Sequence, residues 1–193
     1  HEVVRERVAP GMVLDLDRSR VSGTLEPGVG LRADVLSGTS LVASGAGEAD
    51  ATGAFAIDLV DRRGRAADLA PGTRVVVRTV SGGGVRQVAM VVPELAVEPA
   101  VGDPLVAGRA TPGGTMEVIA SPLVSYFGNR EVTAHPAIAR DGTFRGSFDP
   151  PWALRRGYRL VATWCDPVGH RAVRTRTIPF VSALFGSGTV CGL

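Results

Sequence analysis

Two cysteines, Cys165 and Cys191, are the residues of this 193-residue chain whose chemistry is easiest to name. In an oxidising compartment an even count reads as a disulfide. Closing a loop of about 25 residues would contribute roughly 3 kcal/mol. The alternative is two unrelated buried thiols. Carboxylates come next. Asp15 and Asp17 lie two apart, and Glu48, Asp50, Asp58 and Asp61 are close in sequence. Calcium wants six to eight oxygens, and no D-x-D-x-D-G run is present to supply them. Turn caps and solvated strand faces are the plainer reading of these acids. No cofactor and no metal are expected, with calcium the one ion the acids leave open. His1, His135 and His170 are far apart and lack a Cys or His at zinc spacing. There is no G-x-S-x-G elbow, no P-loop and no G-x-G-x-x-G. No nucleophile, base and orienting group can be named together, so the chain reads as not an enzyme.

Aromatic side chains offer a second kind of chemistry, the gripping of sugar rings. Tyr126, Phe127 and Trp152 fall in loops of the second half, where the first half has no aromatic counterpart. They form a candidate glycan-binding patch. Ordinary packing is the competing reading, with Trp152 capping a core after Pro150-Pro151 and Trp164 lying in a strand.

The elements that carry these residues follow from an internal repeat. Residues 21–28 read VSGTLEPG, and residues 106–113 read VAGRATPG, 85 positions later. Residues 190–193, VCGL, repeat the opening letters once more. Residues 51–55 (ATGAF) answer to 140–144 (RDGTF) at an offset of 89, so the second unit gains four loop residues. Residues 69–77 answer to 154–162, again at 85. Landmarks in one order at nearly one spacing mark a tandem repeat. Residues 1–10, 85–93 and 170–179 each alternate polar and apolar and close on Pro, which fits half-buried strands that end a unit. Residues 12–17, 95–98 and 181–185 are strand candidates that open one. Gly23 marks a bulge or a close backbone approach. Gly82-Gly83-Gly84 reads as a hairpin turn. Residues 66–69 and 152–156 could each make a single helical turn.

Roughly seven short strands per unit, with turns every 8–12 residues, predict β-sandwiches. The order of motifs resembles bacterial surface modules of the immunoglobulin-like and carboxypeptidase-regulatory-like kinds. The carrying residues are Val21, Gly23, Pro27 and Gly28; Asp50, Gly53 and Phe55, or Asp141, Gly142 and Phe144; and Leu69, Pro71 and Gly72, or Leu154, Gly157 and Tyr158. The resemblance implies a corner role for Tyr158, whose hydroxyl would tie a loop to its strand. The first unit offers Arg74 there.

The expected fold class is therefore all-β: two tandem immunoglobulin-like β-sandwich domains with extra flanking strands at both ends. The expected division is a leading strand at 1–10, repeats at 11–93 and 94–180, and a trailing strand at 181–193. Short Pro-containing links at 92–103 and 179–188 would limit bending. Composition narrows the rest. A hydrophobic fraction of 45% is enough for packed cores. A net charge of +2 with interspersed signs argues against nucleic acid. No apolar run approaches the roughly 20 residues of a membrane helix. The expectation is an extracellular or bacterial cell-surface structural protein, a repeat array or fibre subunit. Its partners would be copies of itself or neighbouring repeats. Val3, Val4, Val8 and Val190 are the candidates for strand exchange, because open edges invite added strands. The alternative is a carbohydrate-binding or adhesion module that meets cell-surface glycan.

Overall fold

The computed structural model describes residues 11–79, 86–99, 101–123 and 130–179, and the backbone of 181–184 and 189–192. The residues 1–10 that include Val3, Val4 and Val8, the hairpin turn expected at 82–84, and Tyr126 with Phe127 lie outside the described residues. The described chain is all-β, with no helix. Neither 66–69 nor 152–156 turns into helix. Leu69 and Leu154 are instead buried plugs of extended loops, and a helical turn would pull them from the core. The chain divides into two compact units, residues 1–94 with 165–172 and residues 95–164 with 173–193.

In the first unit β1 (Val13–Asp15), β2 (Arg20–Thr24) and β5 (Ala54–Asp58) form one antiparallel layer. The other layer runs β6 (Val60–Asp61), β4 (Ser40–Glu48), β3 (Gly30–Ser37), β7 (Arg74–Thr79) and β8 (Gln87–Val91). Alternation with period two aims Leu31, Ala33 and Val35 of β3 into the core beside Val75 and Val77 of β7. Leu14, Val21 and Ile57 bury from the opposite layer. On the outer side of β3, Asp34 is buried but not stranded. Its two carboxylate oxygens accept from Arg32 Nε at 2.9 Å and Arg78 Nη1 at 2.7 Å.

The second unit repeats this plan. Its layers run β9 (Leu95–Pro99), β10 (Leu105–Ala110) and β13 (Thr143–Ser147), and β12 (Val132–Ala134), β11 (Thr115–Pro122), β14 (Tyr158–Cys165) and β15 (Arg171–Thr177). First, second and fifth strands on one layer, fourth, third, sixth and seventh on the other, is an immunoglobulin-like sandwich. The stretches expected to be Pro-containing links include strand residues. Residues 95–99 and 181–184 are strands, because their apolar residues find ladder partners.

One turn recurs and fixes the strand ends. Asp50, Asp61 and Asp166 each accept two backbone N–H bonds at Oδ1, from residues two and four onward. Gly53, Gly64 and Gly169 three positions on have φ of 83°, 75° and 97°. That is the Asp-x-x-Gly form of a type I turn closed by a left-handed glycine. At Ala139–Thr143 the same backbone turn recurs, with its carboxylate moved to Asp141.

Candidate functional site

Four of the six acids singled out in the sequence, Asp15, Asp50, Asp58 and Asp61, have structural roles. Asp58 pairs with Arg20 across β5 and β2, 2.6 Å between Oδ1 and Nε. The hydrogen bond and charge of Arg20 hold its carboxyl below the usual range. Asp50 and Asp141 are lowered chiefly by the hydroxyls of Thr52 and Thr143, which donate to them. Asp61 is lowered by the Arg65 backbone N–H and side chain. Asp15 accepts from the Asp17 and Arg18 N–H groups. Among the described residues no three His, Cys, Asp or Glu side chains gather where they could hold a metal.

Cys165 is a free thiol at the end of β14, its Sγ 3.6 Å from the carbonyl oxygen of Asp166. The side chain of Cys191 lies outside the described residues. The expected pairing of the two cysteines therefore lies outside the described residues. His135 is exposed, and His170 is half-buried at the turn after β14. An apolar crevice beside Gly23 and Phe55 encloses about 30 Å³, one water's worth. A wider concavity of about 470 Å³ over β10 and β13 is lined by Ala and Gly with Glu98, Arg109 and Arg145. Thr143 and Phe144 also line it, and the Thr143 hydroxyl is already donated to Asp141.

The side-chain cluster that packing alone does not account for lies on the loop from β13 to β14. Trp152 is half-buried there. Its Nε1 donates to the hydroxyl of the fully buried Tyr158 at 2.9 Å. The guanidinium carbons of Arg130 and Arg155 lie over its ring, 5.1 and 5.8 Å from the centroid. Both distances fall within cation–π range. Tyr158 thus ties loop to strand, but through an indole. Its counterpart in the first unit is Thr73 and not Arg74. Val92 N donates to Thr73 O as Ile178 N donates to Tyr158 O. Arg74 is one position further on and faces out. Trp152 alone could be singled out in the sequence as part of a patch. Arg130 and Arg155 had no signal beyond the richness of the chain in arginine.

Of the residues picked for strand exchange, Val190 is described by its backbone. It pairs with Ala183 of its own chain in the hairpin β16 (Val181–Leu184) and β17 (Thr189–Gly192).

Among the described residues no helix is long and apolar enough to cross a membrane. No family model matches the chain. No curated protein matches it. A solved structure described as a tetra-tandem repeat in the extending region of a large adhesion protein aligns with 90% of this chain. The identity is 14% and the TM-score 0.32, and the chain spans 51% of that one.

Proposed function

We propose that the chain is a non-catalytic, extracellular stretch of a repeat array, in which β-sandwich units joined end to end act as spacers. One observation carries this reading. Three hairpins, β1–β2, β9–β10 and β16–β17, share a register. Val21 pairs with Leu14, Val106 with Pro99 and Val190 with Ala183, in each case the residue seven positions upstream. The first two hairpins open the two units, and all three carry the V-x-G letters. A unit start that recurs in sequence and in register supports serial construction. The antiparallel ladders fit a load-bearing role, since they must be sheared or unzipped to extend. Neighbouring units and copies of the chain are the partners this reading names. It asks for no cofactor.

Single-molecule force spectroscopy on the chain held by terminal handles tests it. A spacer gives discrete force peaks, each releasing about 25–30 nm, the contour of one unit at about 3.5 Å per residue. Featureless extension at low force would overturn the reading. A second reading, an adhesion or carbohydrate-binding module, is favoured by Trp152 and its two arginines.

A further inference from the structure

The two units share a backbone at the corner that ends in Gly72 and Gly157. Both glycines are left-handed, with φ of 86° and 82°. Gly72 N donates to Val92 O at 2.9 Å, and Gly157 N to Ile178 O at 2.8 Å. Leu69 and Leu154 plug the two cores at 4% and 0% exposure. On this common scaffold the side chains diverge in one direction. Ala67, Ala70, Pro71 and Thr73 of the first unit become Trp152, Arg155, Arg156 and Tyr158 in the second. A core that only needed filling would not acquire two exposed guanidiniums. The change adds an aromatic plate, a buried hydroxyl that fixes it, and cations stacked upon it. Arg130 joins from the segment before β12. Arg130, Arg155, Arg156 and Arg159 are all exposed. None of the four has an ion-pair partner among the described residues.

We infer that this corner binds an acidic polysaccharide through its carboxylate or sulfate groups. A guanidinium stacked on indole loses little further freedom on binding and keeps its N–H edge for an oxyanion. The ring itself lies under cations, so it does not serve as a platform for a neutral sugar. Two guanidiniums over one ring, with exposed Arg156 and Arg159 on the same stretch of chain, match a polymer with repeating charge better than a single small anion. A peptide would need an open strand edge or an apolar groove. Here the loop backbone is already engaged. Leu154 N donates to Asp103 O, Gly102 N to Leu154 O and Leu123 N to Gly157 O. Recognition is left to the side chains. The inference deepens the adhesion reading and does not depend on the spacer role.

The test is binding of the whole chain to polygalacturonate, with dextran and polyglutamate as the other arms. Expected is binding to polygalacturonate that weakens with added NaCl, with none to dextran. Arg130→Ser/Arg155→Ser should weaken it about tenfold, the equivalent of ~1.4 kcal/mol. Arg62→Ser/Arg63→Ser, an equal charge change in the first unit, should leave it within about twofold. No binding by the wild type would overturn the inference. So would equal losses in the two double variants, which would mean net charge alone. Tighter binding to polyglutamate would assign the corner to acidic protein instead. A cooperative urea melt confirms that each variant is folded. Force peaks that vanish while binding persists would sink the spacer and leave this site standing.

Discussion

Gly23 and Gly108 stand opposite Phe55 and Phe144 in their ladders. A Cβ on Gly23 would lie 2.9 Å from Cε1 and Cζ of Phe55. The ring covers the glycine, and V-x-G and the distant Phe are one device read in two places. Gly108 has the same ring over it, but its Cβ would also collide with the Ala96 carbonyl on β9. The two sites should therefore respond differently. Gly23→Ala should cost about 1–3 kcal/mol, the usual range for overpacking. Adding Phe55→Leu should make the pair less costly than the sum of its parts. Gly108→Ala should cost more than Gly23→Ala, and Phe144→Leu should not relieve it, because a backbone oxygen cannot step aside. Urea melts of the six variants decide the matter. Equal rescue at both sites would show that the ring alone makes the clash. Sequence alone marked Gly23 as a close approach without naming what approaches, since its partner is 32 positions away.

Elements were more legible than contacts. Strand alternation and turn glycines are local signals, so β1, β9, β11 and β16 fall where the pattern puts them. The Asp-x-x-Gly turns at Asp61 and Asp166 are equally local and could have been read beside the one at Asp50. The loop from β13 to β14 was not readable, because its logic depends on Arg130 meeting Trp152 across 22 positions. The assignment of Arg74 to the place of Tyr158 erred by one residue. In a strand that shift exchanges the core face for the solvent face. The hydrogen bond from Trp152 to Tyr158 holds this loop on its strand. Tyr158→Phe should cost about 0.5–1.5 kcal/mol, the net worth of one hydrogen bond. Trp152→Phe should add little once Tyr158 is already Phe. A thermal double-mutant cycle measures that coupling. Strict additivity would mean that the bond contributes nothing to holding the loop.

At the scale of the whole molecule, turns and cross-strand pairs share one dependence on ionised aspartate. Asp50, Asp61 and Asp141 cap turns, Asp58 pairs with Arg20, and all four have carboxyls lowered from the ordinary 3.8. A group whose folded pKa lies below its unfolded one stabilises the fold above the unfolded value. That contribution is lost as pH falls through the folded value. Stability should therefore stay nearly level from neutrality down to about pH 5 and decline below about pH 4. Asp50→Asn/Asp61→Asn/Asp141→Asn removes three of the four titrations but leaves an oxygen to accept the turn hydrogen bonds. This variant should be less stable at pH 7, because a neutral amide accepts more weakly than a carboxylate. Its urea midpoint should fall less between pH 5 and pH 2.5, so the two curves converge in acid. Parallel curves would place the acid sensitivity elsewhere. Convergence would show that the aspartates that cap the turns also set the acid limit of the fold.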